Sequence, residues 1–323
     1  MMRYGVVAIG RNEGERLKRC LDSLSTATAI VYVDSGSTDG SAQKARENGV
    51  DVIELDMSAG FTAARARNAG FKHLMEIAPD LRNIQFVDGD SKLSEGWLEQ
   101  AALFLESHAN IGVACGRLRE RDPNLSIYTW LCELEWDGPI GEIRSCGGIN
   151  MVRAEAFKAV GGYREDVMAG EEAELCVRLR AAGWRAWRLD TEMATHDSAM
   201  TRFSQWWRRA LRTGYAFGQG AYLHRTSSES LFLWESRRAW IWGIWLPLAC
   251  LVAGLTLGPW GWATWLIYPM QLLRQVVRNP GTLGQRATLA LFHLLARFPE
   301  VLGQIRFIRD RWLGRPGRLI EHK

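Results

Sequence analysis

The chain has 323 residues, 47% of them hydrophobic and 24% charged, with a net charge of +4. This is long enough for two domains or for one large domain with an appendage, and the composition is that of a folded protein rather than a disordered or fibrous one. The charge is uneven: residues 274–323 hold ten Lys/Arg and three Asp/Glu, a net of +7, which leaves −3 for residues 1–273. The basic end therefore points to an anionic partner surface, membrane lipid before nucleic acid. Six scattered cysteines (Cys20, Cys115, Cys132, Cys146, Cys176, Cys250) show no C-x-x-C spacing. They argue against a metal cluster or disulfide framework and for reduced thiols in a cytoplasmic setting. No signal peptide is expected, since Met1 passes into a strand-like run within a few residues.

Tyr4 to Ile9 reads as a buried parallel strand, broken by Gly10-Arg11-Asn12-Glu13. A helix follows with Leu17, Cys20, Leu21 and Leu24 on one face. Ala29 to Val33 is a second strand and runs into the loop Asp34-Ser35-Gly36-Ser37-Thr38-Asp39-Gly40; Asp51 to Leu55 is a third. Gly60 to Met75 reads as a loop entering a helix, and Ile84 to Val87 as a fourth strand ending in Asp88-Gly89-Asp90. Alternating strands and helices predict a mainly parallel sheet flanked by helices. In such sheets ligands lie beyond the carboxyl ends of the strands, where Asn12, Asp34 and Asp88 all fall.

Each of these positions also has a plain structural reading. Two carboxylates around a glycine suit a hard divalent cation, which commonly bridges carboxylates to substrate phosphates, and they equally suit a polar turn. Asp34 is placed to accept from a base N–H or a ribose hydroxyl; its loop also reads as a cap for the next helix through Ser37, Thr38 or Asp39. Arg65 and Arg67 open a helix whose N-terminus favours anions, or they are solvated. Gly147 and Gly148, in S-C-G-G-I-N-M (145–151), allow close backbone approach to a ligand, or mark a bulge. Glu171 and Glu172 fall in the first turn of a helix, where the dipole alone accounts for acidic residues. A carboxylate there also serves as a general base.

Five segments resemble the family 2 glycosyltransferases in letters, order and spacing: A-I-G-R-N-E (8–13), V-D-S-G-S-T-D-G (33–40), A-R-N-A-G (66–70), V-D-G-D (87–90) and G-E-E-A-E-L (170–175). The resemblance runs over roughly residues 4 to 220. It implies a GT-A fold, a nucleotide-sugar donor, expected to be UDP-linked, a divalent Mg2+ or Mn2+, and transfer with inversion at the anomeric carbon. By the same resemblance Asn12, Glu13 and Asp34 hold the nucleoside, and Arg67 and Asn68 lie on the donor side. Asp90 is the direct metal ligand, while Asp88 contacts metal, ribose or water. Gly148 lines the sugar pocket, and His196 adds a metal or phosphate contact. The family usually places Glu-Asp where this chain has Glu171-Glu172, so the base role falls on Glu172, with Glu171 as the fallback.

Arg202 to Arg212 interleaves aromatic and basic residues but lacks the final Trp of the Q-x-x-R-W segment of processive relatives. Ala239 to Leu273 is free of charge, carries Trp240, Trp242, Trp245, Trp260, Trp262 and Trp265, and is flanked by arginines. Ala239 to Leu257 is long enough to span a bilayer and Trp262 to Leu273 is not. A hairpin with cytoplasmic basic flanks, a re-entrant pair and interfacial helices all fit, as does a buried hairpin of a soluble domain.

The expected architecture is an α/β GT-A catalytic domain at 1–225 and a helical membrane-docking region at 226–323, with a hydrophobic hairpin at 239–273 and a basic amphipathic tail at 286–318. The expected activity is metal-dependent inverting glycosyl transfer to a lipid-linked or surface-glycan acceptor at the cytoplasmic face of the plasma membrane, with no nucleic-acid partner. A nucleotidyltransferase on the same type of fold and a non-catalytic nucleotide-sugar-binding scaffold are the alternatives.

Overall fold

The computed structural model describes residues 3–227 and 229–315. The chain divides into two compact units, Met1–Thr201 and Arg202–Lys323.

The N-terminal unit is built on one mixed sheet. Strands β1 (Tyr4–Gly10), β2 (Ala29–Asp34), β3 (Asp51–Glu54) and β4 (Asn83–Asp88) alternate with helices α1 (Glu15–Asp22), α2 (Ser41–Glu47) and α3 (Ala63–Ile77). Their apolar, β-branched runs form the parallel half in the order β3-β2-β1-β4. The register pairs Ile9 with Asp88 and Gly10 with Asp34, so the polar strand ends come out at one edge.

The rest of the unit adds β5 (Ser91–Leu93), α4 (Trp97–Ser107), β6 (Ile111–Glu120), α5 (Ile127–Trp136) and β7 (Gly141–Ile143). It ends with β8 (Asn150–Arg153), α6 (Ala154–Ala159), α7 (Glu171–Ala181) and β9 (Arg185–His196). Strand β8 enters the middle of the sheet, antiparallel to both β4 and β6. Strands β6 and β9 are parallel, and β5 and β7 pair antiparallel with β9. The core is filled by Val6, Val7, Tyr32, Ile84, Phe86, Trp97, Met151 and Leu175, all fully buried. Within it the Trp97 indole donates to Gln85 Oε1 at 2.9 Å, which satisfies two polar groups that burial would otherwise penalise.

The C-terminal unit is helical: α8 (Phe203–Leu223), α9 (Leu233–Trp240), α10 (Leu246–Leu257), the short α11 (Pro259–Trp262), α12 (Ile267–Arg278), α13 (Leu283–Leu295) and α14 (Arg297–Trp312). The boundary expected near residue 225 differs from the division at Thr201/Arg202 because α8 packs on α14. Gly214 and Gly303 sit at that crossing; a Cβ on either would run into the other helix's backbone, at Glu300 O and Leu211 O respectively.

A π-helical turn (Ile241–Trp245) joins α9 and α10 into one 25-residue helix, Leu233–Leu257, whose most apolar 18-residue stretch has a mean hydropathy of 1.8. Among the described residues it is the one helix long and apolar enough to cross a membrane, and 11% of its apolar window is buried. After Gly258 the chain folds back. Gly261 meets the backbone of Ala253, Trp262 covers Gly254, and the Tyr268 hydroxyl donates to Trp242 O at 2.8 Å. The expected hairpin is thus one long arm with a broken, shorter return. Residues 316–318 of the expected basic tail lie outside the described residues.

Candidate active site

Arg67 is the hub of the site. Thr62 caps helix α3, its hydroxyl accepting from Arg65 N, and about one turn later the helix aims Arg67 inward. The guanidinium side chain is 3% exposed, and three carboxylates surround it. Nη2 donates to Asp88 Oδ1 at 2.9 Å, and Nη1 donates to Glu171 Oε1 at 2.8 Å and to Glu172 Oε1 at 3.0 Å. Its carbon lies 5.5 Å from the Tyr163 ring centroid. Burial by itself would favour the neutral form, but Asp88 and Glu172 hold the guanidinium charged, with its pKa well above the usual arginine value.

Residues from three distant parts of the chain meet here because β4, α3 and α7 all end or begin at the carboxyl edge of the sheet. The turn before β8 closes the group. A Cβ at Gly148 would lie 2.5 Å from Arg67 Nη2, 3.1 Å from Glu172 Oε1 and 3.2 Å from Asp88 Oδ2. Only glycine lets the backbone lie against the cluster. Glu171 is buried against Arg67, whereas the Glu172 side chain is 15% exposed. The Glu172 carboxyl is pushed up to about 7, first by burial and next by the neighbouring Glu171 charge, with Arg67 acting in the opposite sense. A carboxylate poised near neutrality is suited to accept a proton at working pH.

The Asp34 carboxylate is buried and organises its own loop. Tyr32 Oη donates to Oδ1 at 3.0 Å, and Gly36 N and Ser37 N donate to Oδ2 at 3.0 and 2.8 Å. A carboxylate has about four acceptor sites, so these three bonds leave one for a ligand donor. Burial, together with Asp34, pushes the Tyr32 phenol far up, so it stays a donor.

Asn12, at φ 56°, ties the two strand-end loops together: its N donates to Ser37 Oγ at 2.9 Å and its Oδ1 accepts from Thr38 N at 2.7 Å. Asp39 accepts from Gly14 N and from Ser41 N at 3.0 Å each; the N-cap of α2 is Gly40 rather than Ser37, Thr38 or Asp39, so Asp39 ties the loop from the position before the cap. Glu13 is buried, ion-paired with Arg16 at 2.8 Å, and its Cγ lies 3.3 Å from where a Cβ on Gly89 would be.

Asp90 is 6% exposed, and its Oδ2 stands 3.4 Å from His196 Nε2. The sheet makes that pair, since Ser91 is opposite His196 in the β5–β9 ladder and Asp197 N donates to Asp90 O. The His196 ring meets Trp136 edge to face, at 4.9 Å between centroids. Glu120, also opposite His196, is buried, and its carboxyl is raised by that burial.

Two expected donor-side residues have other occupations. Arg67 spends its donors on the three carboxylates. Asn68 fastens the 162–165 turn, donating to Tyr163 O at 2.8 Å and accepting from Tyr163 N at 2.9 Å. Sequence reading missed Tyr163, Tyr32 and Trp136. Tyr32 carried a signal, because it lies two residues before Asp34 and so on the same face of β2. Tyr163 carried only the weak one of following Gly161-Gly162.

Among the described residues no three His, Cys, Asp or Glu side chains form a metal cage. The residues present fit a different kind of binding. Asp88 has a side chain 34% exposed, with one oxygen on Arg67 and the other open, and the Asp90–His196 pair stands close by in sequence and sheet. Mg2+ and Mn2+ take one or two such carboxylates and fill the remaining positions with substrate phosphate and water.

The sheet, with acidic residues gathered at its strand ends, is the α/β fold of GT-A glycosyltransferases. Residues 6–157 match the family model "Glycosyl transferase family 2". Succinoglycan biosynthesis protein ExoA of Rhizobium meliloti (strain 1021) is 47% identical over 196 residues, 57% of this chain; the match spans 58% of that relative's length. N-acetylglucosaminyl-diphospho-decaprenol L-rhamnosyltransferase of Mycobacterium tuberculosis is 26% identical over 271 residues, covering 64% of this chain and 87% of the relative.

The mannosyltransferase PcManGT from Pyrobaculum calidifontis, solved with GDP-Man and Mn2+, shares the fold at a TM-score of 0.61 and 16% identity, over 96% of this chain and 88% of that one. S. aureus TarS 1–349, solved with UDP-GlcNAc, does so at 0.50 and 14% identity, over 97% and 93%.

Proposed function

We propose that the chain is a metal-dependent, inverting glycosyltransferase that moves a sugar from a nucleoside-diphosphate donor to a lipid-linked or surface-glycan acceptor. The observation that carries this reading is the Glu172 carboxylate: raised to about 7 and more exposed than Glu171, it is held by Arg67 across from Gly148. Glu172 takes the proton of the acceptor hydroxyl as that oxygen bonds to the anomeric carbon. The bond from that carbon to the diphosphate breaks, and the nucleoside diphosphate leaves from the opposite face. Arg67 holds both carboxylates, and Glu171 is the more buried of the two, so Glu172 acts as the one base and the displacement is single, which inverts the centre.

Asp88 and Asp90, with His196, would hold a divalent cation, which supplies positive charge to the leaving diphosphate. Asp34 and the loops tied by Asn12 take the nucleoside, with UDP the first nucleotide to test. The named activities of the relatives, one acting on a diphospho-decaprenol acceptor, support a lipid-linked acceptor. The largely uncovered helix Leu233–Leu257 and the basic C-terminal unit support attachment to the cytoplasmic face of the plasma membrane. A nucleotidyltransferase would leave Glu172 without a role.

The test is donor binding and sugar transfer by wild type and Glu172→Gln side by side. Retained binding with lost transfer supports the reading; transfer that survives the substitution refutes it.

A further inference from the structure

The C-terminal unit contains a cavity of about 340 Å³, within the range of about 300–1,000 Å³ usual for small-molecule sites. Its lining includes Arg238, Arg274, Arg278, Arg297, His293 and Trp242. Arg297 is buried, donating to Glu300 Oε2 at 2.6 Å and to His293 O at 3.0 Å. Burial, opposed by Glu300 and assisted by Arg238, pulls its pKa below the usual arginine value. Arg238, Arg274 and Arg278 are exposed and have no hydrogen bond or ion pair to any described residue. Asn279, on the same wall, has a buried Nδ2 with no acceptor. Three unpaired guanidiniums and an unmet amide donor around one hollow call for a ligand made of acceptors and negative charge.

The rim is apolar. Arg274 and Arg278 lie one turn apart on α12, beside a stripe of exposed Met270, Leu273 and Val277. Arg238 and Trp242 sit on the helix that continues through the exposed Leu248, Leu251 and Leu255. A charged head in the cavity would leave its chain against these surfaces. The unpaired arginines outnumber the single charge of an ordinary anionic phospholipid, whereas a diphosphate carries more than one.

We propose that this cavity binds the diphosphate of a membrane lipid, anchoring the acceptor through the lipid rather than through its sugar. The idea rests on the lipid-linked acceptor proposed above and adds the site that would hold it.

The test uses the full chain and three kinds of phosphatidylcholine vesicle: unmodified, doped with undecaprenyl diphosphate, and doped with phosphatidylglycerol to the same surface charge. Wild type is expected to prefer the diphosphate vesicles to the equal-charge ones by at least about tenfold, as losing charge-assisted hydrogen bonds implies. The triple substitution Arg238→Gln, Arg274→Gln, Arg278→Gln, all at exposed side chains, is expected to abolish that preference. Asn279→Ala, which removes no charge, is expected to weaken it.

Equal binding to both anionic vesicles overturns the proposal, as does a preference kept by the triple variant. Inorganic diphosphate that binds as tightly as the lipid form overturns the lipid assignment. Sugar transfer to a lipid-linked acceptor is measured in parallel. Transfer by wild type with an unchanged acceptor KM in the variant sinks the cavity alone. Loss of lipid binding in the variant with no transfer by wild type leaves the cavity standing and sinks the transferase reading.

Discussion

Arg67 Nη1 lies 3.0 Å from Glu172 Oε1, and the same nitrogen holds Glu171 Oε1 at 2.8 Å. One arginine thus keeps two adjacent carboxylates together at the start of α7 and leaves the second more exposed. Replacing that second oxygen acid by its amide keeps volume and hydrogen bonding. Glu172→Gln is expected to lower kcat by about 10²–10⁴, the usual worth of a general base. Nucleotide binding by calorimetry should stay within a small factor of wild type. A Glu172→Gln enzyme with near-normal kcat would return the base role to Glu171.

The raised carboxyl gives a signed pH dependence. The base acts deprotonated, so kcat should rise as pH rises toward about 7 and level off above it. Glu171 is one of the causes that push Glu172 up, after burial. Glu171→Gln removes a like charge and gives Arg67 fewer acids to serve, so the midpoint should move to lower pH. A profile of kcat against pH for the two proteins checks the direction, and a midpoint that stays put or moves up contradicts it.

The parallel half of the sheet could be read from sequence because its signals are local. Tyr4–Gly10, Ala29–Asp34 and Asn83–Asp88 are apolar runs that stop at Gly or Asp, and the observed strands differ from the expected ones by a residue or so. Strand β8 was not legible. Four residues, Asn150 to Arg153, are too few to show a period, and their place between β4 and β6 is decided by the sheet.

Within the site, the residue types at the strand ends were visible, but their partners were not. Arg67 meets Glu171 across 104 positions of chain, a contact that no spacing rule encodes. Its helix-start position suggested phosphate, and burial beside three acids is a tertiary outcome. Asn68, adjacent in the same motif, is turned by the helix onto the Tyr163 turn instead.

Arg67 should also be a stability residue. Arg67→Met keeps much of the packing and leaves Asp88, Glu171 and Glu172 without their common counter-charge. Removing one partner of a buried ion pair costs about 3–5 kcal/mol, which should appear as a clear fall in Tm at neutral pH. Glu172, raised to about 7 by burial and by Glu171, loses the arginine that opposes that rise, so part of the lost stability should return as pH falls below its raised pKa. A variant as stable as wild type at neutral pH would show that the cluster is not held by charge.

Gly148→Ala tests the close approach. The added methyl would stand 2.5 Å from Arg67 Nη2 and 3.1 Å from Glu172 Oε1. Arg67 is pinned by three acids and cannot easily move aside, so the turn or the cluster must shift. A shift of about 1 Å at a reacting centre is enough for a loss of about 10², so transfer should fall steeply while the far-UV spectrum stays native. Unaltered kcat and donor KM would mean that the turn yields freely and that the site does not depend on it.

The metal assignment makes the last prediction. Asp90 stands 3.4 Å from His196 and is 6% exposed, while Asp88 has an open oxygen beside its bond to Arg67. A cation bound by so few protein ligands draws the rest from the donor's phosphates, so metal and nucleotide should bind together. In calorimetry, Mn2+ alone should bind weakly, UDP alone weakly, and each should tighten the other by the same factor, because coupling between two ligands is reciprocal. Asp90→Asn removes a charged oxygen ligand and keeps the shape, and it should erase that coupling while leaving metal-free nucleotide binding unchanged. His196→Ala should reduce the coupling if the imidazole is a ligand, and leave it intact if the ring only orients Asp90. If UDP, GDP and dTDP all bind with no dependence on Mn2+ in the wild type, Asp88-Gly89-Asp90 is a turn. The positive charge for the leaving group would then have to come from the protein's own arginines.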